Sequence, residues 1–378
     1  MAQTIISACD SCKEIENILK AIGSKKFLLV CGNSFKNSFM MDYLKNIGTP
    51  FSVFSDFTPN PDYGEVCAGV EQFNNEACDT VIAAGGGSAI DVAKCIKLFC
   101  KMSGREIFLK QEFSDTKIPL IAVPTTAGTG SESTKFSVIY YKGEKQSVHH
   151  ESIVPDYAVL EPKFLKTLPV YQKKCTMMDA LCQAIESWWS VHSTDESINY
   201  AKVAIELIAK YGDDYIFANT DEAAEKIMQA SNLAGQAINI TATTAPHAMS
   251  YKLTKLYGLP HGHSVAVSLL RVWDYMINNP ELCTDKRGKD YLKATFDNIA
   301  VALGANNAET AVKAFKSILD RYEINDPVSD DISKDLSVLA GSVNVERLSN
   351  NPVSLSYDAL YGLYDMILKE GNAQWEHC

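Results

Sequence analysis

The hydrophobic pattern of this 378-residue chain changes its period once, near Pro169. Before that point, short β-branched runs alternate with segments of helical period, which is typical of a parallel sheet covered by helices. After it, the pattern is almost wholly helical, with breaks expected at Gly212, Gly258–Pro260, Asn279–Pro280 and Asn351–Pro352. The pattern therefore predicts an α/β domain over residues 1–168 and an all-α domain over residues 169–378.

Four strands are predicted in the first domain, at Lys25–Gly32, Thr49–Phe57, Asp79–Gly87 and Ile118–Thr126. The helices between them are expected at Phe35–Asn46, Gly64–Asn75 and Ser88–Cys100. A hairpin and a closing strand are expected before the change of period.

Charge and composition exclude several classes of protein. The formal net charge of −11 opposes non-specific attraction to nucleic acid or to an anionic membrane. The apolar runs are well short of the ~18–20 residues that cross a bilayer, and the N-terminus does not resemble a secretory signal. The 11 cysteines are scattered, which indicates reduced thiols. We therefore expect a cytoplasmic protein with a small-molecule ligand and neither a nucleic-acid nor a membrane partner.

Two loops of the first domain are candidate phosphate-binding sites. The first, which follows a predicted strand and opens a helix, consists of Gly85, Gly86, Gly87 and Ser88. The second follows another strand and contains Thr125, Thr126, Thr129 and Ser131. The alternatives are a tight turn for the first and a solvated loop for the second. Neither has the spacing of the common dinucleotide fingerprint or of the P-loop.

Four side chains of the second domain form a candidate metal site. Asp179 and Gln183 are four residues apart in a predicted helix, so both lie on one face. His247 and His261 would be ~21 Å apart on one straight helix, but the break at Gly258–Pro260 allows the chain to turn back. These groups would give one divalent ion a mixed N/O shell. The alternatives are a helix cap, a surface amide and two ordinary core or loop histidines.

Taken together, the segments GGGSAIDVAK, PTTAGTGSE and MDALCQAIES and the two histidines resemble the iron-containing, group III alcohol dehydrogenase family. The resemblance covers nearly the whole chain. It implies a Rossmann-like nucleotide-binding domain followed by an all-α metal-binding domain, as in dehydroquinate-synthase-like folds. It also implies NAD(P)-dependent interconversion of an aldehyde and a primary alcohol, and a homodimer.

The resemblance also implies roles for individual positions. The Gly85–Ser88 turn and Asp91 would bind the dinucleotide, and the Thr125–Ser131 loop would line the nicotinamide side. Asp179, Gln183, His247 and His261 match the metal positions of the family. The ion is expected to be Fe²⁺, with Zn²⁺ or Mn²⁺ as alternatives.

The chain departs from the family pattern at three positions. Gln183 stands where the family usually has His, which leaves the affinity and preference for metal open. Tyr251 replaces a second His near the nicotinamide, and we expect it or His263 to pass the proton to the product, although a structural role for Tyr251 is an equal alternative. Gly32 replaces an Asp of NAD-preferring members, so NADPH should be accepted, with contacts from Asn33, Ser34 and Lys36, while NADH remains possible.

The details of the second domain resemble a branch of this family that reduces phosphonoacetaldehyde to 2-hydroxyethylphosphonate. An anionic substrate needs a cationic pocket, and the candidates are Lys135, Lys252, Lys255 and Arg271. The first alternative is a general dehydrogenase of uncharged short-chain aldehydes and alcohols. A dehydroquinate-synthase-like lyase and a metal-poor binding protein are two further ones.

Overall fold

The computed structural model describes residues 3–7, 10–104, 107–343 and 348–376. The chain divides into two compact units, Met1–Thr167 and Leu168–Cys378, one residue before the predicted boundary. In the described part of the chain, no helix is long and apolar enough to cross a membrane.

The first unit is built on a six-stranded parallel sheet with strand order β1-β8-β5-β4-β2-β3. Its strands are β1 Thr4–Ser7, β2 Phe27–Cys31, β3 Phe51–Phe54, β4 Thr80–Gly85, β5 Leu120–Pro124 and β8 Tyr157–Leu160. The antiparallel hairpin β6 Phe136–Tyr141 and β7 Glu144–His149 forms a separate two-stranded sheet. The four predicted strands, the hairpin and the closing strand are confirmed, whereas β1 was not predicted.

The helices of this unit are α1 Ser11–Ile22, α2 Phe39–Leu44, α3 Tyr63–Asn75, α4 Gly87–Phe99 and α5 Lys163–Lys166. The single helix predicted at Phe35–Asn46 is wrong. A 3₁₀ turn at Phe35–Asn37 precedes α2, because the Ser38 hydroxyl caps α2 by accepting a hydrogen bond from the Met41 N–H at 3.2 Å.

The inner strands β2, β4 and β5 of the sheet are buried on both faces. Leu28 and Val30 of β2 join the core that contains α3 and α4, while Leu29 and Cys31 join the core that contains α1 and α2. Successive side chains of a strand point to opposite faces, so a strand covered on both sides must be apolar throughout. This explains the continuous apolar runs of the first half of the sequence.

The described part of the second unit is almost wholly helical, as predicted. Its helices are α6 Val170–Trp189, α7 Asp195–Asp213, α8 Asp221–Thr241, α9 Ala245–Tyr257, α10 His261–Asn278, α11 Lys289–Ala302, α12 Ala308–Arg321, α13 Ile332–Ala340 and α14 Tyr357–Glu376. The break predicted at Gly212 is wrong, because Gly212 lies inside α7 and a π-helical turn, Asp214–Ala218, continues the helix. A Cβ at Gly212 would lie 2.9 Å from the Tyr322 hydroxyl, so glycine serves close packing there.

Candidate functional site

Three of the four predicted metal ligands converge in the second unit. Asp179 of α6, His247 of α9 and His261 of α10 each offer a ligand atom, and these atoms lie within 4.8 Å of one another. Asp179 Oδ1 is 3.3 Å from His247 Nε2 and 3.8 Å from His261 Nε2. Gln183, one turn along α6, is buried and its amide hydrogen bonds to the Asp179 carboxylate. The structure therefore brings all four residues into one cluster.

The chain reverses between the two histidines as the predicted break requires. Helix α9 ends at Tyr257 and is capped by Gly258, whose φ of +67° is a left-handed conformation that favours glycine. Pro260 caps α10, and His261 is the first residue of that helix. The ring centroids of His247 and His261 are consequently 5.3 Å apart.

A close contact between α6 and α10 depends on a glycine that the sequence analysis did not single out. A Cβ at Gly262 would lie 2.0 Å from the Cys175 carbonyl oxygen and 2.8 Å from Asp179 Cβ. A side chain of any size would force the two helices apart. Gly262 therefore allows His261 to approach Asp179.

The chemistry of the cluster fits a divalent cation. Asp179 Oδ1 and His247 Nε2 are buried and make no hydrogen bond within the described part of the chain. Burial alone would raise the pKa of Asp179, but the neighbouring His261 and His247 outweigh it and lower the pKa. A carboxylate, two imidazoles and an amide oxygen form a ligand set suited to Fe²⁺, Zn²⁺ or Mn²⁺.

Glu186, which the sequence analysis missed, holds the far side of His247. Its Oε1 lies 2.5 Å from His247 Nδ1, and its Oε2 accepts hydrogen bonds from the N–H and hydroxyl of Thr244. Burial would lower the pKa of His247, but Glu186 and Asp179 raise it to about 10. Glu186 stands at i+7 from Asp179 and at i+3 from Gln183, and this helical spacing could have identified it.

The two predicted proton donors differ in their surroundings. The Tyr251 ring stacks on the His261 ring, with centroids 5.8 Å apart and planes inclined by 2°. His263 is buried, with Nδ1 2.8 Å from the Tyr171 hydroxyl and Nε2 2.6 Å from the Asn325 carbonyl oxygen. Both ring nitrogens of His263 therefore have hydrogen-bond partners within the second unit, whereas Tyr251 lies against one of the candidate metal ligands.

The four predicted substrate cations are not equivalent. Arg271 is buried and forms ion pairs with Asp326 at 2.7 Å and Glu370 at 2.9 Å, so its charge is already matched within the helical unit. Lys135 belongs to the first unit and pairs with Glu151 at 2.8 Å. The remaining two lie on α9, the helix of His247. Lys252 there is half-buried, whereas Lys255 is exposed.

The two candidate phosphate loops are neighbours in the first unit. Gly85 ends β4, Gly86 caps α4 and Gly87 opens it, with Ser88 bonded to the Pro59 carbonyl oxygen. The Thr125 N–H donates to the Gly85 carbonyl oxygen at 2.9 Å. A Cβ at Gly87 would lie 2.9 Å from Thr129 Cγ2, and one at Gly86 would lie 3.4 Å from Thr126 Oγ1. Glycine at these positions therefore lets the loops pack together at the N-terminus of α4.

Asp91 and Ser131, both predicted cofactor contacts, bond to their own domain. Asp91 Oδ1 accepts from the Ser131 hydroxyl at 2.6 Å, and Oδ2 accepts from the Val138 N–H at 3.0 Å. A buried lysine that the sequence analysis missed, Lys94, donates to the hydroxyls of Ser131 and Thr134 and to the Phe136 carbonyl oxygen. Burial lowers the pKa of Lys94 to about 8, against the opposing effect of Asp91. This network braces the second loop against α4.

The residues after β2 border open space. Gly32, Asn33 and Ser34 follow β2 directly, and apart from its chain neighbours no described residue has an atom within 4 Å of a Cβ built on Gly32. A cavity of about 420 Å³ lies nearby along the edge strand β3. Its lining consists of Lys36, Met41, Lys45, Phe51, Val53 and Ser55.

Comparison with known proteins gives matches to iron-containing alcohol dehydrogenases in both halves of the chain. The family model "Iron-containing alcohol dehydrogenase" matches residues 2–162, and "Fe-containing alcohol dehydrogenase family, C-terminal" matches residues 174–368. The phosphonoacetaldehyde reductase of Streptomyces viridochromogenes is 31% identical over 328 residues, covering 82% of this chain and 81% of that protein. The NAD-dependent methanol dehydrogenase of Bacillus methanolicus is 31% identical over 322 residues, covering 83% and 82%.

The solved structures agree in fold. The sulfoacetaldehyde reductase of Bifidobacterium kashiwanohense, determined in complex with NAD⁺, superposes with a TM-score of 0.86 at 28% identity. That match covers 97% of this chain and 96% of the other.

Proposed function

Because the chain belongs to the iron-containing alcohol dehydrogenase family, with family models matching residues 2–162 and 174–368, we propose that it reduces phosphonoacetaldehyde to 2-hydroxyethylphosphonate with NADPH. Its general activity, that of a metal-containing, NAD-binding alcohol and aldehyde oxidoreductase, follows from the family. The convergence of Asp179, His247 and His261 on one point is the structural observation that supports this chemistry.

Each ligand residue has a defined part in the proposed reaction. Asp179, Gln183, His247 and His261 would hold the ion, which when bound supplies Lewis-acid polarisation of the aldehyde oxygen while the nicotinamide supplies hydride. The loops at the N-terminus of α4 would bind the dinucleotide phosphates with backbone N–H groups and the helix dipole. Tyr251, stacked on His261, would deliver the proton that the product alcohol needs.

The substrate proposal rests on two relatives and on charge. Phosphonoacetaldehyde and sulfoacetaldehyde, named for two similar proteins, are short aldehydes that carry a tetrahedral anionic group. Such a group requires a cation close to the carbonyl site. Lys252 suits this role best among the predicted cations, because it is half-buried and adjoins Tyr251 on the helix of His247.

The substrate is tested by comparing kcat/KM for phosphonoacetaldehyde, sulfoacetaldehyde and an uncharged aldehyde of similar size. We expect the phosphonate to be preferred, and Lys252→Met to raise its KM while the uncharged aldehyde is little affected. Lys255→Met, an exposed lysine of the same helix, is the matched control and should behave as the unmodified enzyme. Equal or better kcat/KM with the uncharged aldehyde would contradict the phosphonate assignment.

An uncharged alcohol or aldehyde is the second candidate substrate. The methanol dehydrogenase is as similar to this chain as the phosphonate enzyme, at 31% identity. The same three-substrate comparison decides between the two.

The cofactor preference is proposed from the environment of Gly32. No carboxylate stands at this position to repel a 2′-phosphate, and Lys36 and Lys45 line the cavity along β3. Either lysine could neutralise a phosphate dianion. The ratio of kcat/KM for NADPH and NADH tests this preference.

A homodimer and a cytoplasmic location remain part of the proposal. Two-fold dimers are the commonest soluble assembly. All nine cysteines that the structure describes are free thiols, which suits a reducing compartment. Light scattering on the purified protein tests the dimer.

A further inference from the structure

Glu186 is a buried carboxylate next to the ligand cluster, and both of its oxygens accept hydrogen bonds. It is fully buried on α6, and its two oxygens face different partners. Oε1 lies 2.5 Å from His247 Nδ1, while Oε2 accepts from the Thr244 N–H at 2.7 Å and from the Thr244 hydroxyl at 2.9 Å. Three donors therefore meet one carboxylate.

A tryptophan fixes the direction of these hydrogen bonds. The Trp189 indole N–H, which can only donate, lies 2.9 Å from the Thr244 hydroxyl oxygen. The hydroxyl must accept this bond, so its own hydrogen points to Glu186. Both oxygens of Glu186 consequently act as acceptors, and a glutamine amide, with one acceptor oxygen, cannot replace them.

The same geometry selects the tautomer of His247. Nε2 faces Asp179 at 3.3 Å, on the side where the ligand atoms converge, and Nδ1 faces Glu186. An imidazole that donates Nδ1–H to a carboxylate presents the lone pair of Nε2 to the opposite side. When a cation takes the place of the proton at Nε2, the Nδ1–H bond to Glu186 keeps the ring in the tautomer and orientation that this binding requires.

We infer that Glu186 is a positioning residue of the metal centre, which sets the affinity for the divalent ion by fixing the tautomer and orientation of His247. The inference rests on the proposed function, since it requires that the cluster bind metal. Glu186 is not one of the converging ligand residues, and its oxygens bond to His247 and Thr244. It acts through His247, and Thr244 and Trp189 hold it in place.

The test measures metal affinity on purified, metal-depleted protein by competition with a chromophoric chelator, using Zn²⁺ and Co²⁺. Glu186→Gln should weaken binding by about 10- to 100-fold, the usual effect of losing the outer partner of a metal-bound histidine. The visible absorption bands of the Co²⁺-loaded variant should also shift, because the ligand field changes when His247 reorients. Asp326→Asn is the matched control, since that buried carboxylate accepts from Arg271 and not from a histidine.

The outcomes separate this inference from the proposed function. A folded Glu186→Gln protein with unchanged affinity and Co²⁺ spectrum overturns the role of Glu186 while leaving the metal site intact. Failure of the unmodified protein to bind either ion overturns both. If Glu186→Gln does not fold, Thr244→Val and Thr244→Ser replace it. The valine variant loses the hydroxyl donor and should bind Co²⁺ more weakly than the serine variant, and equal affinities would overturn the inference.

Discussion

Replacing Gly262 by alanine should disrupt the metal centre through one added methyl group. The new Cβ would lie 2.0 Å from the Cys175 carbonyl oxygen. Ordinary carbon–oxygen contacts are near 3.3 Å, so α6 and α10 would have to separate locally by roughly 1.3 Å. Metal–ligand distances tolerate only about 0.2 Å. The displacement is several times this tolerance, and His261, the residue before Gly262, should leave the ligand set.

The variant should lose both metal affinity and stability. Overpacking of this kind costs about 1–3 kcal/mol, which urea unfolding of the metal-depleted protein would measure. Chelator competition would report the affinity for Zn²⁺, which should fall with the loss of one ligand.

Gly362→Ala provides the control for this experiment. Gly362 is also a helical glycine of the second domain, but beyond its own helix backbone no described residue has an atom within 4 Å of a Cβ placed there. Alanine should leave metal binding unchanged and stabilise the helix by up to about 1 kcal/mol. If Gly262→Ala bound Zn²⁺ as tightly as the unmodified protein, the close approach of the two helices would not position His261, and the reasoning would be refuted.

Three further predictions concern single residues. Gln183→His should tighten Zn²⁺ binding more than Mn²⁺ binding, because imidazole suits Zn²⁺ and carbonyl oxygen suits Mn²⁺; equal changes in competition titrations would contradict this. Gly32→Asp has space for its side chain, and its carboxylate should repel the 2′-phosphate of NADPH. The ratio of kcat/KM for NADPH to that for NADH should therefore fall by roughly tenfold or more. An unchanged ratio would argue against binding of the 2′-phosphate beside residue 32. Burial lowers the pKa of Lys94 from 10.5 to about 8, so between these values the unfolded chain binds more protons and stability should rise with pH. Urea unfolding should show this rise reduced in Lys94→Met, and identical pH profiles would contradict it.

Most of the fold could be predicted from the periodicity of hydrophobic residues along the chain. Strands buried on both faces, such as β2 and β4, are continuous apolar runs that stand out in the sequence. The missed strand β1 has four residues, Thr4–Ser7, none of them buried, and its pairing with β8 joins segments about 150 residues apart. Nothing local in such a segment distinguishes it from a loop.

The convergence of the candidate metal ligands could be predicted, because helical spacing and a helix break bring them together. Asp179 and Gln183 follow from spacing, and Gly258 explains how His247 meets His261. The supporting residues could not be predicted in this way. The need for glycine at position 262 depends on how closely two helices approach each other, which no local pattern encodes.

The burial of charged side chains could not be predicted from the sequence either. Lys94 and Glu186 are charged residues on helices, where a solvated face is the usual expectation. Their burial is stabilised by partners distant in sequence, Ser131 for the lysine and Thr244 for the glutamate. Arg271 was predicted as a substrate-binding cation. Its ion pair with Asp326, 55 residues away in sequence, could not be seen in the sequence either.

The most direct test of the central claim is the rate of NADPH oxidation with phosphonoacetaldehyde before chelation, after verified metal removal and after addition of Fe²⁺ or Zn²⁺. The account predicts turnover that disappears with the metal, returns on reloading, and is absent in Asp179→Ala under every condition. Full activity in protein shown to be free of metal would contradict it.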